Sequence, residues 1–234
     1  RLFATIDPRF RAYFSADRNT SIRLDEVRWG GVLQDGIPPL RSPAMVGATE
    51  ADYLDDGNIV FGIEIDGDAR AYPKRILAWH EMFVDNIAQI PVIGVYCTLC
   101  GSMIIYETQV GSVNYQMGTS GFLYRSNKLM YDRETKTLWS SLLGSPSSAF
   151  WRIEKTSNWR YSPWLPRYGV EWLAEHPDTS VLSPLNDFYR PIVYPRGDYH
   201  KSTYYRYRTI PNTMFPVWNR DSRLGTKAGV LGVS

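Results

Sequence analysis

The alternation of apolar and polar positions is clearest in the middle of the chain. Asn58 to Ile65 alternates as a half-buried strand, Asp66-Gly67 supplies a hairpin turn, and Ala69 to Tyr72 returns. Pro73 suits the first position of a helix, so the next segment is expected to be helical near 73–79, with His80 at its end. From Glu81 to Ser141 the pattern is strand-like throughout. The pieces EMFVDNI, IPVIGVYC, SMIIYETQV, SVNYQMG, KLMYDRE and KTLWSSL are separated by Gly, Asn, Asp and Ser. TSGFLYRSN reads as a glycine-containing loop with a polar tail. A second helix is expected near 165–176, stopped by His176-Pro177 and followed by a short strand. Residues 1–45 are rich in turn formers and are expected to form an irregular wrap. Residues 46–234 show no repeat and no linker, and are expected to form one globular domain. The fold class is α+β and predominantly β, a compact single domain of antiparallel strands with a few short helices.

Composition changes this picture little. A length of 234 residues can bury a core without disulfide staples. A formal net charge of +2 offers no general attraction for nucleic acid or an anionic membrane. The 16 Tyr and 8 Trp favour strands and broad half-buried surfaces. The uncharged stretch Asn86–Tyr106 is long enough to span a bilayer. Pro91, Gly94 and Gly101 interrupt it, and its β-branched and aromatic residues fit two buried strands instead, so no transmembrane span is expected in this chain.

The chemistry concentrates in YCTLCGS, which holds the two cysteines of the chain, Cys97 and Cys100. They lie between two strand patterns, and Gly101 permits a tight turn. That context resembles the knuckles that present two thiolates to a metal, rather than the helix start that activates a thioredoxin-type pair. A disulfide between them would close a very small loop and be reactive rather than structural. Three histidines are available. His80 is the best candidate to join the thiols, because an antiparallel strand pair could bring it beside Cys97. His176 suits a helix end, and His200 an exposed position. Two thiolates plus an imidazole would suit zinc or copper. Without metal, the same three residues suit thiol redox chemistry, with His80 as base or thiolate stabiliser.

The longer stretch DARAYPKRILAWHEMFVDNIAQIPVIGVYCTLCGSMIIYE resembles the core of the domain-of-unknown-function 3179 family of bacteria and archaea. GTSGFLYRSNKLMYDRETKTLWSSLLG, EWLAEHPDTSVLS and FPVWNRDSRLGTKAGVLGV resemble later family motifs in the same order, so the resemblance covers roughly residues 45–234. It implies an extracytoplasmic setting: periplasmic, at the cell surface or lipoprotein-anchored. Some members are described as selenoproteins, which implies reactive rather than packing roles for the chalcogens. Carried over by position, the site candidates are His80, Glu81, Cys97, Cys100, Ser102, Tyr124, Ser126, Asp132 and Trp139. Thr98 stands where the family commonly has proline, and TKAGVLGV lacks a usual glutamate.

Around the cysteines, Glu81, Ser102, Tyr124, Ser126 and Asp132 are the expected supporting residues, while Trp139 reads as core. Two functional classes follow with a third beside them: a thiol oxidoreductase, a copper or zinc centre, and a non-enzymatic accessory or structural subunit of an envelope assembly. The redox reading implies a small-molecule or protein redox partner. The Tyr/Arg-rich segment 187–208 is a candidate protein contact, and no nucleic-acid module accompanies it.

Overall fold

A computed structural model describes residues 2–14, 18–149, 165–185 and 204–229. Among these residues the strands form three main sheets and a two-stranded ribbon. The middle sheet carries the cysteines. Its order is Leu40–Arg41, Met82–Ile87, Ile90–Cys97, Ser102–Glu107. Side chains alternate across the strand Ile90–Cys97. Val92 and Tyr96 enter a core shared with Val60, Phe61, Ile63 and Tyr72 of the five-stranded sheet. Ile93 and Val95 enter a second core with Met117, Met130 and Trp139 of the six-stranded sheet. A strand covered on both faces reads as an unbroken apolar run. This is the physical origin of the uncharged stretch Asn86–Tyr106. No helix among the described residues is long and apolar enough to cross a membrane.

Close packing marks this central layer. A Cβ on Gly94 would lie 2.0 Å from the Phe83 ring, which itself stacks on Tyr72 with centroids 3.7 Å apart. Below it, Arg70 bridges Asp68 and Asp85 at 2.9 and 2.8 Å, and the Tyr72 hydroxyl donates to Asp85 at 2.6 Å. The buried Asp85 carboxylate is thereby satisfied between two strands.

The molecule is a mostly β, α+β single domain. The helix Lys74–His80 forms where the sequence predicts it, and Asp66-Gly67 turns with φ of 47° and 82°. Positive φ at both central residues is what a tight two-residue hairpin requires. Three expectations need correction. TSGFLYRSN is largely strand: Met117–Tyr124 pairs with Asn127–Asp132 and with Val27–Trp29. Gly121, at φ 82°, sits within a register shift and lies against the Val32 carbonyl, so the glycine marks a bulge and not a loop. Leu165–Tyr168 is an edge strand on Ile59–Ile65, and the helix begins only at Gly169. Pro166 is tolerated there because an edge strand has one unpaired side.

The N-terminal residues are more regular than a wrap. Three-residue to six-residue 3-10 turns alternate with the short strands Asn19–Thr20, Val27–Trp29 and Leu40–Arg41, each paired into a main sheet. Phe10 and Tyr13 are fully buried against Phe122 and Tyr131, on the outer face of the six-stranded sheet.

Candidate functional site

The strands Ile90–Cys97 and Ser102–Glu107 pair in register, with Cys97 opposite Ser102. The four residues between them must reverse the chain. Gly101 does so at φ 69°, and its N–H donates to the Cys97 carbonyl at 2.8 Å. The turn places both sulfurs on the side facing the six-stranded sheet. Both thiols are free, and their sulfurs are 2.9 Å apart. That is roughly 0.9 Å beyond a disulfide bond of ~2.05 Å. Disulfide formation needs only a small approach.

The two sulfurs have different surroundings. Cys97 is buried, and Cys100 is exposed. The Cys97 thiol donates to the Cys100 sulfur, and the Asn127 side-chain amide donates to the same sulfur at 3.2 Å. These donors favour the thiolate. The bond from Cys97, then that from Asn127 and the more distant Arg208 charge, hold the Cys100 thiol below its ordinary value against the opposing effect of burial. Cys97 is pushed well above the ordinary value by donating to Cys100, by burial, and by the Glu81 carboxylate. The surroundings thus favour the charged form of Cys100 and the neutral form of Cys97.

Three parts of the chain hold this arrangement. The first is the helix end. Glu81 takes φ 55° and caps Lys74–His80 through its N–H to the Leu77 carbonyl, 2.7 Å away. Its own carbonyl accepts from Tyr96 at 2.9 Å. Its carboxylate accepts from Thr98 Oγ1 and from Lys128 Nζ, each at 2.6 Å. Glu81 and Lys128 are nearly buried, so this is a desolvated ion pair locking the turn to the six-stranded sheet. The second part is the turn between Tyr124 and Asn127. Arg125 and Ser126 take φ of 47° and 64°, an unfavourable choice for residues with a Cβ. The protonated Cys100 thiol donates to the Ser126 carbonyl at 3.3 Å, and Asn127 follows directly. The third is the C-terminal segment. Arg208 donates to the Thr98 carbonyl at 2.6 Å and to the Tyr96 hydroxyl at 3.1 Å. The Ser126 hydroxyl donates to the Pro216 carbonyl at 2.5 Å. Between this segment and the turn lies a cleft of about 620 Å³, with Cys100 in its wall.

The expected supporting residues separate. Ser102 lies 3.4 Å from the Asn127 amide, and Ser126 roofs Cys100 through its carbonyl. Glu81 contacts the turn through Thr98. Tyr124 packs with the aromatics of the outer face and under Arg125, away from the sulfurs. Asp132 stands at the opposite end of its strand from Asn127, roughly 16 Å along it. There it accepts from the Thr135 N–H and hydroxyl, both at 2.7 Å, and caps a turn. Trp139 is fully buried in the second core.

His80 is the last residue of its helix and is fully buried, with Nδ1 2.8 Å from the Pro38 carbonyl. Burial lowers its pKa. Glu81 after it is left-handed at φ 55°, and the charged groups acting on the sulfurs are Glu81 and Arg208. Among the described residues, no three His, Cys, Asp or Glu side chains converge as a metal-binding group. His200 and most of segment 187–208 lie outside the described residues. Asn127, Lys128 and Arg208 escape a reading of the sequence. Their types are common at surfaces and turns, and nothing in their spacing marks them.

A family model described as a protein of unknown function (DUF3179) matches residues 34–234. No curated protein and no solved structure matches the chain.

Proposed function

This chain belongs to the DUF3179 family, and from its geometry we propose that it is a thiol–disulfide redox protein. Cys100 is the attacking thiolate and Cys97 resolves the mixed disulfide. The observation that carries this reading is the asymmetry of two sulfurs 2.9 Å apart. The exposed one accepts hydrogen bonds that favour its charge, and the buried one is its donor. An attacking thiol must be reachable and ionised, whereas a resolving thiol need only be near. The turn lacks the helix N-terminus that usually activates such pairs. Asn127, Arg208 and Cys97 itself supply that stabilisation here. An extracytoplasmic setting is part of the proposal and rests on the family resemblance. Disulfides form and persist in such compartments.

The test is stoichiometric reaction of the reduced protein with an aromatic disulfide that releases a coloured thiol. The parent releases two equivalents and ends as a Cys97–Cys100 disulfide. The Cys97→Ser variant releases one and stalls as a mixed disulfide on Cys100. Slow, equal and independent reaction of the two thiols would overturn the reading in favour of an accessory or structural role. Zinc or copper, with Cys97, Cys100 and His80 as the expected ligands, is the alternative. One equivalent of either metal in protein purified without chelators, absent from a Cys97→Ser/Cys100→Ser variant, would replace the metal-free reading.

A further inference from the structure

The cleft beside Cys100 carries a chemical preference of its own. Its volume of about 620 Å³ falls within the roughly 300–1,000 Å³ of small-molecule sites. Leu99, Phe215, Val217 and Leu224 give it apolar wall. Three of its lining residues are cationic: Arg208, Arg220 and Lys227. Among the described residues lining it, the one carboxylate is Asp221, and Arg223 clamps that group at 2.5 Å.

Two of these three cations are held by specific contacts. Arg208 enters over Gly101, where a Cβ would lie 2.8 Å from its guanidinium. Its donors hold the Thr98 carbonyl and the Tyr96 hydroxyl. Lys227 donates to the carbonyls of Tyr207 and Ile210, so neutral oxygens hold its ammonium in the cleft wall. Arg208 and Lys227 line the same cleft, so two like charges share its field. Bringing an anion into such a cleft relieves that repulsion.

We infer that the cleft takes a small anionic disulfide, one bearing carboxylates beside its sulfurs, as the oxidising partner of Cys100. This rests on the redox reading above and names its substrate class. The Cys100 thiolate attacks one sulfur of the ligand, forming a Cys100–ligand disulfide and expelling one ligand thiolate. Cys97 then attacks the Cys100 sulfur, forming the intramolecular disulfide and expelling the second ligand thiolate, which takes up the Cys97 proton. The protein pair loses two electrons and the ligand disulfide gains two. The carboxylates meet Arg220 and Lys227, and the apolar wall covers the ligand's methylenes.

The experiment compares oxidation rates of the reduced protein by dithiodiglycolate, bis(2-hydroxyethyl) disulfide and cystamine, which are anionic, neutral and cationic. Each rate is divided by that of a small neutral thiol with the same disulfide, removing intrinsic reactivity. The expected order is anionic, neutral, cationic, with a spread of roughly 10-fold at low salt that shrinks in 0.5 M salt. Arg220→Glu narrows or inverts the anionic-to-cationic ratio. Normalised rates independent of ligand charge would overturn the inference. The redox reading would then still stand, since the same reactions would yield the Cys97–Cys100 disulfide. Failure of all three disulfides to react at Cys100 would overturn both.

Discussion

Cys97 and Cys100 are three residues apart and belong to two different environments. On the Cys97 side, a strand end, a helix end and a neighbouring sheet meet around the Glu81–Lys128 pair, and water is largely excluded. On the Cys100 side, one turn and a C-terminal segment leave a cleft. The same functional group is therefore pushed in opposite directions, and a short turn is enough to create the difference. The shared hydrogen bond and burial raise one thiol, and hydrogen-bond donors lower the other.

The buried side is the one most costly to disturb. Lys128→Met leaves the Glu81 carboxylate buried without its cation, and should lower unfolding free energy by about 3–5 kcal/mol in denaturant titration. The double variant Glu81→Gln/Lys128→Met should recover most of that loss. A single variant as stable as the parent would show that the pair does not lock the turn. Gly94→Ala also acts behind the turn. Its new methyl meets the Phe83 ring and should cost about 1–3 kcal/mol by overpacking.

At the mouth, Gly101→Ala meets both a left-handed φ and the Arg208 guanidinium. It should cost about 1–2 kcal/mol and raise the pH at which Cys100 becomes alkylated. A change in stability without a change in that pH would separate Arg208 from the thiolate.

The smallest effects are in titration. In the reduced parent, alkylation read site by site should reach half its maximal rate below pH 9.0 at Cys100 and above it at Cys97. The linked stabilities have opposite signs. The lowered pKa of Cys100 contributes stability that is present above pH 9.0 and is lost as pH falls through its folded value. The raised pKa of Cys97 contributes stability that is present below pH 9.0 and is lost as pH rises through its folded value. Asn127→Ala should move the Cys100 midpoint upward, and Arg208→Met should move it less, because the amide touches the sulfur and the guanidinium acts from farther away. Equal midpoints for both thiols would erase the contrast.

Several features are legible in the chain itself. Period-two alternation marks the strands because successive side chains point to opposite faces. Asp66-Gly67 announces its hairpin because those residues tolerate positive φ. The turns at Ala88-Gln89 and Arg125-Ser126 adopt the same left-handed geometry without such residues, and tertiary pairing imposes it. TSGFLYRSN hides a strand because its glycine, a loop signal locally, serves a bulge.

The sequence by itself determined a strand-rich domain, a two-cysteine turn between paired strands, and family membership carried by motifs in order. Those properties are local or cumulative along the chain. The tertiary structure alone decided that His80 meets Pro38, that Glu81 binds Thr98 and Lys128, and that Asn127 and Arg208 reach the cysteine turn from far along the chain. Thiol ionisation depends on burial and on donors within a few ångströms. Those distances are set by how the sheets stack, and no spacing in the sequence encodes them.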